Sequence, residues 1–324
     1  MPQLVRLGTR GSPLALWQAH RVQELLERAG TRTELVPIRT TGDVIADVPL
    51  SRIGTVAIFT AQLDEALLAG RIDLAVHSLK DLPTISPSGV EIAAVSERAD
   101  PRDALVGRGS LRWQEIPRGA TIATSSLRRQ AQLLRARPDL KLVEMRGNVE
   151  TRLAKLDATP EWTATVLAVA GLVRLGLAAR IGERLPCELM LPAPGQGALA
   201  ITVRVGDGST ARAARAAVHD EATALCVAAE RALLRRLEGG CQVPVGAYAK
   251  FIRETVKPAL HLTGRVVSLD GRESVEQSVT APVADSASAV ALGVALAEEL
   301  LADGADRILP QVRRAAPPLG AGDR

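Results

Sequence analysis

Short apolar segments alternate with helix-like segments along the first two thirds of the chain, and this alternation constrains the fold more than any other feature. Residues 4–9 have the composition of a strand, and Ser12 and Pro13 then provide an N-cap and a first helical residue. The same order returns at residues 121–124, where a strand precedes a helix capped by Ser126. Strands that alternate with helices indicate an α/β architecture with parallel sheets.

Two polar, proline-bearing stretches, residues 98–103 and 190–197, interrupt this alternation and predict crossovers between two α/β domains. We therefore predict two hinged domains, similar to those of periplasmic binding proteins, with a cleft between them. A long helix, three strands and a final helix then predict a smaller C-terminal α+β domain. The predicted boundaries are residues 1–98 with 198–217 for domain 1, 103–190 for domain 2, 219–312 for domain 3, and 313–324 for a disordered tail.

Composition argues against several classes of protein. Lys and Arg number 40 against 36 Asp and Glu, but only six aromatic residues are present, which disfavours nucleic-acid binding by base stacking. No apolar run reaches the roughly 18 residues of a membrane span, and the N-terminus lacks a signal-peptide core. We therefore expect a cytoplasmic protein with neither nucleic-acid nor membrane partners. Three cysteines without a C-x-x-C pair and four scattered histidines predict no disulfide framework and no metal site.

Basic and hydroxyl-bearing motifs follow the predicted strands. They are Arg10-Gly11-Ser12, Ser78-Leu79-Lys80-Asp81, Thr124-Ser125-Ser126 with Arg128 and Arg129, and Arg146-Gly147-Asn148 with Arg152. Ligands of open α/β sheets bind at the carboxyl ends of strands, and helix N-termini and arginines bind anions. Any single motif could serve only to cap a helix or to solvate its arginines. Four motifs at equivalent positions favour one ligand with several carboxylates or phosphates.

Asp81 is a carboxylate among these basic groups. Taken alone, it is more simply a helix cap or one half of an ion pair. In a cleft lined by arginines it becomes the best candidate for general acid–base chemistry. We expect Lys80 to lie on the opposite side of an extended strand, so that it binds the ligand while Asp81 does the chemistry.

Cys241 follows two glycines in the stretch Glu238-Gly239-Gly240-Cys241. Glycines remove side-chain bulk and allow the backbone to turn, so this sulfur is expected to be presented rather than packed. It could be a nucleophile or a point of covalent attachment. Cys187 and Cys226 are interpreted as small buried thiols.

Six motifs in register resemble the porphobilinogen deaminase (hydroxymethylbilane synthase) family over residues 4–312. They are Thr9-Arg10-Gly11-Ser12-Pro13-Leu14-Ala15-Leu16-Trp17-Gln18-Ala19, Val76-His77-Ser78-Leu79-Lys80-Asp81-Leu82-Pro83, Thr124-Ser125-Ser126-Leu127-Arg128-Arg129-Gln130, Arg146-Gly147-Asn148-Val149 with Thr151-Arg152-Leu153, Pro194-Gly195-Gln196-Gly197-Ala198, and Leu237-Glu238-Gly239-Gly240-Cys241-Gln242-Val243-Pro244. The resemblance implies a monomeric transferase of haem biosynthesis. Four porphobilinogen molecules would be joined head to tail on a covalent dipyrromethane primer with loss of ammonia, and hydrolysis would release hydroxymethylbilane.

The resemblance also implies roles for individual residues. Asp81 matches the catalytic carboxylate, and Cys241 matches the thioether anchor of the dipyrromethane. The other cofactor-binding positions would be Lys80, Ser78, Thr124, Ser126, Arg128, Arg129, Arg146 and Gly147. The substrate-binding positions would be Arg10, Ser12, Arg152, Arg174, Gln196 and Phe59.

The chain departs from the family pattern in the segment expected to cover the cleft. Val56 and Ala61 stand where lysines are usual, and Ala57 stands where glycine is usual. Fewer positive charges and a stiffer backbone predict weaker substrate binding or slower turnover than is normal in the family. Elsewhere Val173 replaces a usual basic residue, and Thr163 and Thr202 replace usual acids.

Two other functions fit parts of the sequence. A non-catalytic, two-domain anion-binding protein would carry a similar cleft, but it would not need the third domain or the Gly-Gly-Cys loop. An inactive paralogue of the deaminase is the second alternative, because of the altered cleft segment. The resemblance favours the active enzyme over both.

Overall fold

A computed structural model describes residues 4–40, 60–237, 243–252 and 258–315, which form three β-sheets covered by helices. The strands are β1 (Val5–Arg10), β2 (Thr33–Ile38), β3 (Leu74–Ser78), β4 (Val90–Val95), β5 (Asp103–Val106), β6 (Thr121–Ala123), β7 (Lys141–Val143), β8 (Ala164–Ala168), β9 (Glu183–Arg184), β10 (Leu199–Arg204), β11 (Val245–Ile252), β12 (Ala259–Val267) and β13 (Ser274–Pro282). The helices are α1 (Pro13–Arg28), α2 (Ala61–Leu68), α3 (Leu127–Ala136), α4 (Val149–Ala158), α5 (Val169–Arg174), α6 (Gly208–Val218), α7 (Glu221–Arg236), α8 (Ser286–Leu300) and α9 (Asp306–Ala315). Short 3₁₀ turns occur at Leu79–Asp81, Trp113–Glu115 and Ala178–Arg180, and a π turn occurs at Leu301–Ala305.

The first sheet has the strand order β2-β1-β3-β10-β4. Strand β1 is parallel to β2 and β3, whereas β10 is antiparallel to β3 and β4. Helix α1 covers this sheet with Ala19, Val22 and Leu26, which are spaced three and four residues apart and are fully buried. The helix begins as predicted, since Ser12 Oγ accepts a hydrogen bond from the amide of Ala15.

The second sheet repeats this plan, with the order β7-β6-β8-β5-β9. Strand β6 is parallel to β7 and β8, and β5 is antiparallel to β8 and β9. The prediction of parallel sheets was therefore wrong for β5 and β10. These two strands follow the crossovers, so each enters its sheet from the other half of the molecule and runs in the opposite direction. The sheets are mixed, and the α/β class is confirmed.

The third sheet, β11-β12-β13, is antiparallel throughout. Helices α7 and α8 pack on one of its faces through an aliphatic core that includes Leu233, Leu262 and Leu296. This is the smaller C-terminal α+β unit that the sequence predicts. Helix α9 packs on the same core through Ile308 and continues to Ala315, so the first residues of the predicted tail are helical. Residues 316–324 lie outside the described residues.

Strand β10 joins the first sheet after the second sheet is complete. The exact domain boundaries stay a prediction. Among the described residues, no helix has the length and apolar character needed to span a membrane.

Candidate active site

A cavity of about 560 Å³ lies between the first and second sheets, and we call it the cleft cavity. The four strand-end motifs meet there, as expected for open α/β sheets. Among the predicted site residues, those that line it are Arg10, Ser12, Ser78, Lys80, Asp81, Arg129, Arg146, Gly147, Arg152, Arg174 and Gln196.

Three predicted cofactor-binding residues, Thr124, Ser126 and Arg128, do not line the cleft cavity. The hydroxyl of Thr124 is buried and accepts a hydrogen bond from the amide of Ser126 (3.3 Å). Ser126 Oγ accepts from the amide of Arg129 and so caps α3. Arg128 is also buried and donates to the carbonyl of Leu191 (2.7 Å). In this structure the three residues lie behind the residues that line the cavity, and they hold the helix and loop that form its wall.

Lys80 and Asp81 lie in the 3₁₀ turn rather than in an extended strand. The expectation that they point to opposite sides was therefore wrong, and both side chains line the cleft cavity. Within the turn, Leu79 is buried against Gly195, where a Cβ atom would lie 2.2 Å from Leu79 Cδ2. Leu79 thus occupies the inward position, and the two following residues face the ligand space.

Lys80 is held by Gln196, whose Oε1 accepts a hydrogen bond from Nζ at 3.3 Å. Burial lowers the pKa of Lys80 to about 8, and repulsion by Arg129 and Arg128 acts in the same direction, against attraction by Asp81 and Asp103. Lys80 is therefore a cation at neutral pH and loses its charge in mildly alkaline solution.

Asp103 was missed as a functional candidate, because in the sequence it is only one member of a polar crossover. It is fully buried at the start of β5. Its carboxylate lies 2.8 Å from Arg128 Nη1 and 2.7 Å from Arg129 Nη2, and it accepts a hydrogen bond from Gln196 Nε2 at 3.1 Å. Although burial opposes ionisation, these two arginines and Lys80 hold the pKa of Asp103 well below its usual range. No local pattern identifies this residue, since its partners are on α3 and on the second crossover.

The opposite wall of the cavity comes from the second sheet and carries most of the positive charge. Arg152 Nε donates to the carbonyl of Gly147 at 2.8 Å, and Lys155 Nζ donates to the carbonyl of Arg146 at 3.3 Å. Burial lowers the pKa of Arg152 and of Arg174 to about 10, so both remain cations at neutral pH. Arg146 Nη1 is buried, and no hydrogen-bond acceptor for it exists in the described part of the chain.

Across the described residues, seven basic side chains line the cleft cavity, and Asp81 is the one acidic side chain among them. A polyanion of small-molecule size fits this charge and this volume, since ligand sites occupy about 300–1,000 Å³. Lys155 also lines the cavity and was missed. Its spacing of three residues from Arg152 on α4 was the signal that could have revealed it. Gln18, Asn148 and Thr151 are further lining residues that the motifs contained but to which no role was given.

A smaller cavity of about 70 Å³ adjoins the first sheet and is lined by Gln18, Thr60 and Asp81, among others. Asp81 therefore borders both spaces. Gln18 Nε2 donates to Ser78 Oγ at 2.9 Å and fixes the wall beside it. This arrangement places a carboxylate where two ligand groups could meet.

Several predictions fall on residues that the structure does not describe: Cys241, Phe59, Val56 and Ala57 all lie outside the described ranges. Ala61 is the exposed first residue of α2. The expected effect of the altered cleft segment therefore stays a prediction. Within the described ranges, no three His, Cys, Asp or Glu side chains are grouped so as to hold a metal ion.

The replacements noted at Thr163, Val173 and Thr202 lie in described segments. Thr202 is buried and its Oγ1 lies 3.0 Å from His77 Nε2. Burial lowers the pKa of His77 to about 4, with a smaller contribution from Arg10, so this imidazole is neutral at physiological pH. Val173 is exposed, and Thr163 is half-buried.

Comparison with known proteins assigns the chain to a family. Residues 5–212 match the family model described as "Porphobilinogen deaminase, dipyromethane cofactor binding domain", and residues 224–302 match "Porphobilinogen deaminase, C-terminal domain". The porphobilinogen deaminase of Geobacter metallireducens is 50% identical over 96% of this chain and 95% of its own length. That of Syntrophotalea carbinolica is 50% identical over 94% of this chain and 95% of its own length. Among solved structures, the methionine-binding protein MetQ superposes with a TM-score of 0.45 at 14% identity, over 66% of this chain and 89% of that chain. The chain belongs to the porphobilinogen deaminase family.

Proposed function

We propose that Asp81 is the catalytic carboxylate of this transferase and that Cys241 carries its dipyrromethane by a thioether bond. The enzyme acts in tetrapyrrole synthesis on porphobilinogen, four molecules of which are joined head to tail with loss of ammonia before hydrolysis releases hydroxymethylbilane. The observation that carries the assignment of Asp81 is its position as the one acidic side chain among the seven basic groups of the cleft cavity in the described part of the chain.

The residues of the cleft cavity fit a dipyrromethane with acetate and propionate side chains. Arg146 Nη1 is a buried donor without an acceptor among the described residues, and a ligand carboxylate would satisfy it. Arg129 and Lys80 would hold further carboxylates from the side of α3 and the 3₁₀ turn. When bound, the dipyrromethane supplies the pyrrole carbon to which the first substrate unit is joined.

Thr124, Ser126 and Arg128 would support this group indirectly. Ser126 caps the helix that carries Arg129. Arg128 forms an ion pair with Asp103, which is also the ion-pair partner of Arg129. We assign Arg10, Ser12, Arg152, Arg174 and Gln196 to binding of the substrate, together with Phe59 from the undescribed segment. Arginine suits this role because its planar donors match a carboxylate.

Asp81 would act on the reacting ring by charge and by hydrogen bonding. Loss of ammonia from the aminomethyl group leaves positive charge on the pyrrole of the substrate, and a nearby carboxylate stabilises that charge. The same carboxylate can accept a hydrogen bond from the pyrrole N–H. Asp81 borders both the 560 Å³ and the 70 Å³ spaces, which supports a role between two adjoining ligand groups.

We also propose a cytoplasmic protein that acts without nucleic-acid or membrane partners, which rests on the composition, and that is a monomer, which rests on the sequence resemblance. Domain 1 would comprise residues 1–98 and 198–217, domain 2 residues 103–190, and domain 3 residues 219–312. The membership of β10 in the first sheet supports the discontinuous first domain.

Intact-mass measurement tests the covalent site. The native protein, made in a host that supplies porphobilinogen, should carry an adduct of the mass of a dipyrromethane, and Cys241→Ser should carry none. The Asp81→Ala variant should keep the adduct and lose product formation. Normal turnover by Asp81→Ala would overturn the role of Asp81, and an unmodified native mass would overturn that of Cys241.

A further inference from the structure

Trp17 belongs to the first of the six motifs, yet none of the roles above uses it. It lies on α1, one turn beyond the helix start, and its side chain is 39% exposed. Its indole ring lies against the guanidinium of Arg174, whose Cζ is 5.7 Å from the ring centroid. Arg174 is the last residue of α5 in the second sheet unit. The contact therefore joins the two halves of the molecule beside the cleft cavity.

Arg174 lines the cleft cavity and has few restraints of its own. Its Nη2 donates to the carbonyl of Gly197 at 2.7 Å. Among the ion pairs of the described residues, none involves this guanidinium. A guanidinium has five N–H donors, all in its plane. With one donor used by Gly197 and one face against the indole, the remaining edge is available to a ligand in the cavity.

Helices α1 and α5 approach each other at Leu14 and Gly171. A Cβ atom built at Gly171 would lie 3.7 Å from Leu14 Cδ2, which is an ordinary van der Waals distance. Leu14 and Trp17 are three residues apart and lie on the same side of α1. Where α1 passes α5 beside Leu14, the indole lies within reach of the guanidinium.

We infer that Trp17 is a positioning residue for substrate binding, which fixes the plane of the Arg174 guanidinium so that its free edge faces a carboxylate of porphobilinogen. This inference rests on the proposed assignment of Arg174 to the substrate. The indole provides the negative ring face that attracts a cation, and tryptophan does so better than phenylalanine or tyrosine. An aliphatic side chain would fill the same space without orienting the charge.

Steady-state kinetics of four variants test this inference: Trp17→Leu, Trp17→Phe, Arg174→Gln and the double variant Trp17→Leu/Arg174→Gln. Loss of a cation–π contact at a partly exposed site corresponds to about a two- to five-fold change in affinity. Trp17→Leu should raise KM for porphobilinogen by that factor and leave kcat unchanged. Trp17→Phe should recover part of the loss. In the Arg174→Gln background, Trp17→Leu should have no further effect.

Trp113 provides a matched control, because it packs against the core of the second sheet and does not line the cleft cavity. Trp113→Leu should leave KM unchanged, and thermal unfolding would show that each variant is folded. An equal rise in KM on Trp17→Leu in both backgrounds would overturn the inference, since Trp17 would then act independently of Arg174. If Arg174→Gln alone left KM unchanged, the assignment of Arg174 to the substrate would be wrong, and the inference with it. A native protein whose intact mass shows no dipyrromethane adduct would instead count against the anchor at Cys241.

Discussion

Replacing Asp103 by asparagine should lower the free energy of unfolding by about 3–5 kcal/mol, the usual cost of removing one partner from a buried ion pair. Asp103 is fully buried and serves two guanidiniums, those of Arg128 and Arg129, at 2.8 and 2.7 Å. An asparagine has the same shape but only one acceptor oxygen. If that oxygen faces Arg129, its NH₂ group faces Arg128, so two donors meet there, and both cations lose the counter-charge of the carboxylate.

This loss is large against the whole stability of a folded protein, which is about 5–15 kcal/mol. It should also depend on pH with a definite sign. The pKa of Asp103 is lowered in the folded state, so its stabilising contribution is fully present above the unfolded value of about 3.9 and is lost as pH falls through the folded value. The difference in unfolding free energy between the native protein and Asp103→Asn should therefore be constant from about pH 5 to pH 8 and should become smaller in acid.

Urea titration followed by circular dichroism measures this difference at pH 7. Asp100→Asn is a matched control, because Asp100 lies three residues earlier in the same crossover and pairs with Arg102 at 2.7 Å. Both side chains of that pair are partly exposed, so their separation should cost less than about 1 kcal/mol. Equal losses in Asp103→Asn and Asp100→Asn would refute the reasoning that burial makes the Asp103 contacts strong.

The remaining predictions concern a lysine, a buried glutamate and a glycine. Lys80, which we assign to the dipyrromethane, is charged below its pKa of about 8 and adds to the positive potential of the cleft cavity, so kcat/KM for the anionic substrate should fall as pH rises through about 8. Lys80→Arg should move that decline to higher pH, and an unmoved decline would contradict this prediction. Glu230→Gln should lower the unfolding free energy by about 3–5 kcal/mol in urea titrations, whereas Glu298→Gln, at an exposed pair, should cost under about 1 kcal/mol; similar costs would count against a special role for burial. Gly197→Ala should lower the unfolding free energy by well over the roughly 1–2 kcal/mol that a left-handed alanine costs, because the φ of Gly197 is +95° and a Cβ atom would also lie 2.5 Å from a backbone carbonyl oxygen. Gly119→Ala is the control: its φ is +71° and its Cβ would meet no atom within 4 Å, so it should cost only the roughly 1–2 kcal/mol of the left-handed backbone in the same titrations.

The parts of the fold that the sequence predicted are those set by local interactions. The N-caps at Ser12 and Ser126 fix where α1 and α3 begin, and each cap depends on residues within one turn. The direction of β5 and β10 depends instead on which half of the molecule the chain arrives from. No short window of sequence contains that information, so the antiparallel strands were not predicted.

The same distinction applies to the site. Arg129 and Arg146 come together because the carboxyl ends of the parallel strands β6 and β7 share one edge of the second sheet, a rule that needs only the order of elements. Arg10 follows the same rule at the end of β1 in the first sheet and lines the same cavity. Asp103 becomes part of the site only through its contacts with residues far along the chain. Its role can therefore be recognised only in the folded structure, where β5 lies beside β8. Arg128 and Arg129 carry the same motif signal, and both guanidiniums contact Asp103 and a backbone carbonyl, yet Arg129 lines the cleft cavity and Arg128 does not. A motif identifies a position at the site, and packing decides which of two neighbours reaches the ligand.

The described residues of the C-terminal unit act on the cleft cavity without lining it. Glu230 on α7 is fully buried; it accepts a hydrogen bond from the amide of Gly195 at 2.7 Å and is paired with Arg98 (Nη2–Oε2 3.1 Å). Arg98 Nε in turn donates to the carbonyl of Gln196 at 2.9 Å, and the side chain of Gln196 holds Lys80. Because both crossovers meet at this one carboxylate, its charge fixes the backbone that carries Gln196. Loss of that charge should therefore disturb the position of Gln196, which we assign to the substrate, and lower substrate affinity, even though Glu230 lies outside the cavity wall.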